Sequence, residues 1–203
     1  MSNILVIGAH PDDIEIGAGG TIARLVHEGN KVHCVVVTVR NKKEIRIKAA
    51  KNAAQVLGCK VEVLDLSPEE ILQPRFLTGL FDNYISDLNP IEVFTHWNKD
   101  SHQDHIHIYN STISSCRKNK CSLYMYEQTV PGGVVADGFR PQYFVNISKF
   151  IDKKIESTLK HESQIGDNSE DWIRGIKGRA GYRGFQIGVD YAEVFEVVKK
   201  IKH

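Results

Sequence analysis

The sequence predicts an α/β fold with a mostly parallel central sheet, and two observations support this prediction. The first is a continuous apolar run at residues 4–7, closed by Gly8, which is typical of a parallel strand buried on both faces. The second is the alternation of strand-like and helix-like patterns over the first half of the chain, which is typical of βαβ units with right-handed crossovers. No internal repeat or linker interrupts the 203 residues, so we expect a single domain over residues 1–203.

Strands are predicted where apolar residues form short runs. The second run, which begins at Val32, is especially rich in β-branched residues, and these favour strands. The predicted strands lie at residues 4–7, 32–39, 61–66, 91–95, 123–126 and 143–147.

Helices are predicted from their composition and their termini. A glycine-rich stretch at residues 17–20 is expected to lead into the first helix, which Gly29 ends. Gly58 ends the alanine-rich second helix, and Asn89-Pro90 ends the third. The predicted helices lie at residues 21–28, 44–57, 76–88, about 102–118, 149–162 and 170–176.

Composition excludes several classes of protein. The charged residues sum to +1, which gives no electrostatic reason to expect a nucleic-acid or membrane partner. The four cysteines form no Cys-x-x-Cys pair, and the first residues lack the basic segment of a signal peptide. We therefore expect a soluble, cytoplasmic protein with reduced thiols that acts on a small molecule, and both a monomer and a homo-oligomer stay open.

Histidines are concentrated in one part of the chain. Four of the nine fall between residues 96 and 107, where an even spread would place about 0.5. His102 and His105 are three residues apart at the start of a predicted helix, so they lie on one face of it. The structural alternative is a capping box with Ser101 as N-cap and Asp104 at the third helical position. Three further residues are expected to support a site rather than react: His96, Asp100 and His107.

A second polar cluster follows the first predicted strand. His10, Asp12, Asp13 and Glu15 lie within six residues, and Pro11 restricts the backbone between them. Ligands of open α/β sheets bind at the carboxyl ends of the strands, so a site is expected here. The structural alternative is a solvated turn with an aspartate that caps the next helix.

Both polar clusters follow strands of one parallel sheet, so the fold can bring them together at one edge. Two imidazoles and a carboxylate are a normal ligand set for catalytic zinc, which keeps a fourth position for water. A nearby free aspartate can then accept a proton at neutral pH, and a free histidine can polarise a carbonyl or protonate a leaving amine. These residues therefore fit metal-assisted hydrolysis of an amide.

The two clusters resemble the signature motifs of the PIG-L/LmbE-like deacetylases. The first reads His-Pro-Asp-Asp from residue 10, and the second reads Asp-x-His-x-Asp-His from residue 100. Weaker similarity continues to residue 195, through blocks that contain Arg46 and His161. Members of this family are zinc-dependent enzymes that remove an N-acetyl group from N-acetylglucosamine-type sugars. The resemblance therefore implies a Rossmann-like three-layer sandwich with this activity.

The resemblance also implies which residues bind the metal. His10, Asp13 and His105 would hold zinc, with ferrous iron as the alternative metal. Asp12 would be the general base that activates the metal-bound water. The substrate would be an N-acetylglucosamine-type amino sugar or its conjugate, with a nucleotide or phosphate conjugate as one version.

Three further roles follow from the resemblance. His102, oriented by Asp104, would stabilise the oxyanion and help to expel the amine. Arg46 would contact the sugar or its phosphate; the alternative is a surface arginine on a helix.

Departures from the family pattern affect the substrate side more than the chemistry. Glu15 comes one position late because Ile14 intervenes, so its role is open, as are those of His161 and Gln164. A basic segment at residues 40–43 replaces the Gly-Glu-containing loop of many family members. This segment either favours an anionic substrate or is a solvated basic loop.

Three hypotheses about function compete. The main one is a zinc N-deacetylase that acts on an amino sugar. The second is a zinc amidase that cleaves a larger thiol conjugate or another amide. The third is a non-catalytic Rossmann-type module that binds a nucleotide or sugar. The glycines at residues 17–20 give it some support, although the GxGxxG fingerprint is absent.

Overall fold

One seven-stranded sheet organises the part of the chain that the computed structural model describes, which is residues 1–128, 130–131 and 138–202. The strands are β1 (Asn3–Gly8), β2 (Lys31–Val36), β3 (Lys60–Val63), β4 (Glu92–Thr95), β5 (Ser122–Tyr126), β6 (Tyr143–Asn146) and β7 (Ala192–Lys199). Their order across the sheet is β3-β2-β1-β4-β5-β7-β6. The first five strands pair in parallel, whereas β7 runs antiparallel to both of its neighbours.

Helices cover both faces of this sheet. Those in the described ranges are α1 (Asp13–His27), α2 (Lys43–Leu57), α3 (Pro68–Ile71), α4 (Pro74–Leu88), α5 (Gln103–Cys116), α6 (Ile151–Leu159), α7 (Glu162–Ile165) and α8 (Ser169–Phe185). The predicted α/β class with a mostly parallel sheet is therefore confirmed.

Strand β1 contributes to two separate cores because its side chains alternate between the faces of the sheet. Ile4 and Val6 pack in a core that includes residues of α1, α6 and α8. Leu5 and Ile7 pack in a second core with residues of α4 and α5. Each of these four side chains is at most 1% exposed, and burial of one such side chain stabilises the fold by about 1.5–3 kcal/mol. The result is a three-layer helix–sheet–helix sandwich.

Helix α1 begins at Asp13, so the prediction that it begins at residue 21 is wrong. The glycines that suggested an approaching loop lie inside the helix, where they allow close packing against the sheet. A Cβ atom on Gly17 would overlap the ring of Tyr126, and one on Gly20 would lie 2.7 Å from Cδ1 of Ile147. These glycines therefore form no phosphate-binding loop before a helix.

The C-terminal part differs most from the prediction. The apolar pattern predicts no strand at residues 192–199, yet β7 lies between β5 and β6. Two buried glutamates interrupt its apolar pattern, and both have distant partners. Glu193 forms an ion pair with Lys154, and Glu196 accepts a hydrogen bond of 2.9 Å from Trp97 Nε1. The predicted helix at residues 149–162 is divided into α6 and α7, and the helix predicted at residues 170–176 continues to Phe185 as α8.

The strand order reverses between β1 and β4, because β1 continues to β2 on one side and β4 to β5 on the other. In open α/β sheets the crevice at such a point is where ligands bind. Both polar clusters lie there. Among the described helices none is long and apolar enough to cross a membrane.

Candidate metal centre and active site

The two polar clusters meet at the carboxyl ends of β1 and β4. His10 and Asp13 follow β1, and His105 lies in the first turn of α5. One ligand atom from each of these three residues lies within 4.8 Å of the others, and all three side chains are buried. Two imidazoles and a carboxylate at this spacing are a donor set that zinc accepts.

Asp13 is the centre of this cluster. Its Oδ2 lies 3.4 Å from Nδ1 of His10 and 3.4 Å from Nε2 of His105. Its Oδ1 accepts a hydrogen bond of 2.6 Å from Nε2 of Gln128. Burial would raise the pKa of this carboxyl, but His105 and His10 hold the pKa well below its ordinary value, so the carboxylate is ionised.

Both imidazoles of the cluster are surrounded by carboxylates. His105 Nδ1 lies 2.9 Å from Asp100, and His10 Nε2 lies 3.0 Å from Asp104. Burial lowers the pKa of each histidine, but the carboxylates outweigh it and raise the pKa to about 9 for His10 and about 10 for His105. The pocket therefore attracts positive charge, which a divalent cation would supply, so the residues present fit a metal ion.

His96 packs directly against the cluster, in the supporting position that the sequence predicts. Its Nε2 accepts a hydrogen bond of 2.8 Å from the backbone N–H of Ala9, and its ring stacks on that of His105 with centroids 3.8 Å apart. Burial holds the pKa of His96 well below its ordinary value, so this ring is neutral. Asp100 also supports the cluster, because its carboxylate contacts the ring of His105. His107 is half-buried on α5 and does not line the cavity beside the cluster.

Asp12 lies beside the cluster in an unusual backbone conformation. It is the N-cap residue of α1 with φ at 112°, a left-handed value that a non-glycine residue adopts at a cost in energy. Burial and the neighbouring Asp13 raise the pKa of its carboxyl to about 7. The guanidinium of Arg46 lies 3.8 Å from this carboxylate. Asp12 therefore changes its protonation near neutral pH.

His102 is the N-cap residue of α5, so the alternative in which Ser101 is the N-cap is wrong. His102 Nδ1 accepts a hydrogen bond of 3.2 Å from the backbone N–H of Asp104. The expected pairing of the Asp104 carboxylate with the His102 ring is therefore wrong, and the backbone N–H of Asp104 contacts the ring instead. The Asp104 carboxylate instead contacts Nε2 of His10 and the guanidinium of Arg40. His10 and Arg40 together lower the pKa of Asp104 to about 2.

A cavity of about 330 Å³ opens beside these residues. Six of the seven predicted site residues line it: His10, Asp12, Asp13, Arg46, His102 and His105. The seventh, Asp104, is not in the lining but accepts hydrogen bonds from Arg40, which is in the lining. Arg46 is only 6% exposed, and its Nη2 donates a hydrogen bond of 3.0 Å to the carbonyl of Pro11, so the alternative of a surface arginine is wrong.

Residues without a predicted role also lie at the site. Gln164 lines the cavity, and so does Gln128, which the sequence reasoning missed. The signal for Gln128 was its place just after β5, at the same edge of the sheet as the two clusters. Glu15 and His161 are both buried and form a pair with 3.4 Å between Oε2 and Nε2.

Comparisons with known proteins identify the family. The family model of the GlcNAc-PI de-N-acetylases (PIG-L) matches residues 5–116. The chain is 31% identical over 172 residues to the uncharacterized deacetylase YaiS of Escherichia coli (strain K12). This alignment covers 79% of this chain and 90% of that protein. It is 27% identical over 226 residues to diacetylchitobiose deacetylase of Thermococcus kodakarensis, which covers 99% of this chain and 85% of that protein.

A solved structure extends this similarity over the whole chain. The conserved protein TT1542 from Thermus thermophilus superposes with a TM-score of 0.79 at 27% identity, which covers 100% of this chain and 97% of that chain. The residues matched by the family model include both polar clusters and the strands that carry them. The hypothesis of a non-catalytic binding module is therefore wrong, and the chain belongs to the PIG-L family of deacetylases, enzymes that hydrolyse an amide.

Proposed function

We propose that the protein removes the N-acetyl group from an N-acetylglucosamine-type amino sugar or its conjugate in a zinc-dependent hydrolysis. The observation that carries this proposal is the buried triad of His10, Asp13 and His105 with the carboxylate of Asp12 beside it. The similarity to a diacetylchitobiose deacetylase supports an amino sugar as the substrate.

His10, Asp13 and His105 would hold the metal. When bound there, zinc would lower the pKa of a water molecule to about 7 and polarise the amide carbonyl of the substrate. Asp100 and Gln128 contact two of these ligands, His105 and Asp13, and fix the direction of their donor atoms. Ferrous iron is the alternative, because imidazole and carboxylate donors suit both metals.

Asp12 is proposed as the general base. In the metal-free protein, burial and Asp13 raise the pKa of its carboxyl to about 7. A carboxylate beside the metal can accept a proton from water and return it later in the reaction. The Arg46 guanidinium, 3.8 Å away, favours the ionised form of this carboxylate. Asp12 lines the cavity, and Pro11 restricts the backbone immediately before it.

His102 is proposed as the residue that stabilises the oxyanion and donates a proton to the leaving amine. Its Nδ1 accepts a hydrogen bond from a backbone N–H, so in the neutral ring the proton is on Nε2. Nε2 can then donate a hydrogen bond to the oxyanion. Proton transfer to the amine requires the ring to be protonated first, because a neutral ring that lost this proton would become an imidazolate. Asp104 acts on this ring through its backbone amide and on His10 through its carboxylate.

The cavity is large enough for one sugar residue, and pockets for small ligands begin at about 300 Å³. Arg46 and Gln164 lie in its wall and are proposed as hydrogen-bond donors to the sugar hydroxyls. Arg46 also lies 3.8 Å from the Asp12 carboxylate, so it can affect both substrate binding and the proposed base.

Acetate release tests the proposal directly. The purified protein is stripped with a chelator and assayed with N-acetylglucosamine and diacetylchitobiose before and after zinc or ferrous iron is restored. We expect activity to disappear with the metal and to return with it. A protein that binds one zinc per chain but releases acetate from no N-acetylated sugar would contradict the proposal, and larger amide conjugates in the same assay would test the amidase alternative.

A further inference from the structure

Arg40 lies in the wall of the cavity, on the connection between β2 and α2. Its side chain is 50% exposed, whereas that of Asp104 beneath it is 7% exposed. Two guanidinium nitrogens bond the carboxylate: Nη2 lies 2.9 Å from Oδ1 and Nε lies 3.1 Å from Oδ2. Such a two-point contact fixes the plane of the guanidinium. Within the described residues, the remaining nitrogen, Nη1, has no hydrogen-bond partner.

This arrangement places a fixed cation close to the reaction centre. The Oδ2 of Asp104 that accepts from Arg40 also lies 3.0 Å from Nε2 of His10, a proposed metal ligand. One carboxylate therefore separates the guanidinium from the metal triad.

The positive charge of Arg40 is accessible from the cavity, although most of the other ionisable groups there are acidic or imidazole. The three carboxylates that line the cavity have partners of their own: Asp12 has Arg46, Asp13 has His10 and His105, and Asp100 has His105. Of the two arginines in the wall, Arg40 is the more exposed, because Arg46 is largely buried and also donates to a backbone carbonyl.

The neighbouring lysines do not share this position. Lys43 forms an ion pair with Asp65, and Lys42 is exposed; neither lines the cavity. The basic segment thus contributes one cation to the site and at least one to the solvated surface.

We propose that Arg40 is a specificity-determining residue that selects amino sugars carrying an oxyanion, a phosphate or a carboxylate, on the acetamido-bearing ring or its glycosidic oxygen. This inference rests on the proposed deacetylation. The guanidinium stays on Asp104 and presents Nη1 to the anion, so substrate binding breaks no internal contact. A planar, permanently charged donor suits both oxyanions.

The test compares neutral and anionic substrates. Acetate release is measured with N-acetylglucosamine, its 1-phosphate, its 6-phosphate and N-acetylmuramic acid, so the arms separate phosphate from carboxylate and one ring position from another. The protein variants are Arg40→Gln, which keeps a donor for Asp104, and the exposed control Lys42→Gln. Zinc content is measured for each variant to exclude an indirect effect on His10.

We expect the unmodified protein to prefer at least one anionic substrate by about tenfold or more in kcat/KM. Arg40→Gln should lower kcat/KM for that substrate by about 10- to 100-fold more than it lowers the value for N-acetylglucosamine. Arg40→Lys should fall between the two, and Lys42→Gln should match the unmodified protein.

Several results would overturn the proposal. An equal loss on neutral and anionic substrates means that Arg40 only positions Asp104, and an equal effect of Lys42→Gln means a general electrostatic attraction. If the protein hydrolyses neutral sugars and shows no preference for anionic ones, this inference alone is refuted. Absence of acetate release from every sugar in the panel, with zinc bound, would instead refute the proposed function.

Discussion

The carboxylate of Asp100 lies 2.9 Å from Nδ1 of His105, and this contact determines which nitrogen of that imidazole faces the metal triad. With Nδ1 occupied, Nε2 points to Asp13 at 3.4 Å. Asp100 is itself held by the backbone N–H of His102, which donates to its other oxygen over 2.8 Å. The segment between β4 and α5 therefore orients a ligand that lies on the helix that follows it.

Replacement of Asp100 should weaken metal binding. Because the carboxylate orients His105 and increases its basicity, Asp100→Ala is expected to lower zinc affinity by about 10- to 100-fold. Competition with a chromophoric chelator measures the change. Asp171→Ala, which removes a carboxylate paired with Arg174 on the surface of α8, serves as the control and should bind zinc normally. Unchanged affinity in Asp100→Ala would refute the orienting role.

Asp12→Asn should separate metal binding from catalysis. The amide cannot accept the proton, so we expect kcat to fall by about 10²- to 10⁴-fold while one zinc per chain is retained. Acetate release and metal analysis on the same sample check both parts. If the variant kept its full rate, another group would have to be the base.

Metal affinity should rise with pH. In the metal-free protein the pKa values of His10 and His105 are raised to about 9 and about 10, so both imidazoles carry protons at pH 7 that a metal must displace. Affinity should therefore increase from pH 7 toward pH 9, by up to about tenfold per pH unit for each proton released. Calorimetry in buffers of different ionisation enthalpy counts these protons, and a count near zero at pH 7 would contradict the expectation.

Gly17 should tolerate no side chain. A Cβ atom there would overlap the ring of Tyr126, so Gly17→Ala is expected to destabilise the fold by about 1–3 kcal/mol. Gly79, on α4, has nothing within 4 Å of such an atom, and Gly79→Ala should stabilise the fold by about 0.5–1 kcal/mol. Urea denaturation of both variants measures the difference, and an equal effect of the two substitutions would contradict the packing explanation.

Local patterns predicted the first five strands because each contains apolar residues typical of strands, and four of these strands are largely buried. The exception is β3, whose residues alternate between exposed and half-buried. They failed where long-range contacts decide the structure. The glycines of α1 are compatible with either a loop or a tight helix contact, and only Tyr126 and Ile147 select the second. The charged residue Glu193 likewise interrupts the apolar pattern that would predict β7. Its partner Lys154 belongs to a helix that is distant in the sequence, so no local pattern indicates that Glu193 is buried.

The sequence predicted the location of the candidate site better than it predicted the C-terminal part of the fold. His10, Asp13 and His105 lie together because both clusters follow strands at one edge of the sheet, which topology predicts. That these three residues bind the metal is implied by the family resemblance and stays a prediction. The partners of the polar groups could not be predicted. The Asp104 carboxylate contacts Arg40 and His10, which depends on side-chain directions that no spacing in the sequence determines.

The left-handed backbone of Asp12 has a consequence for how this protein can evolve. A non-glycine residue in such a conformation costs about 1–3 kcal/mol, whereas glycine adopts it freely. Selection for heat resistance alone would therefore favour glycine at position 12, and the resulting protein would fold well and lack its proposed base. Selection for the catalytic rate would retain the aspartate, so selection for thermal stability and selection for activity favour different residues at this position.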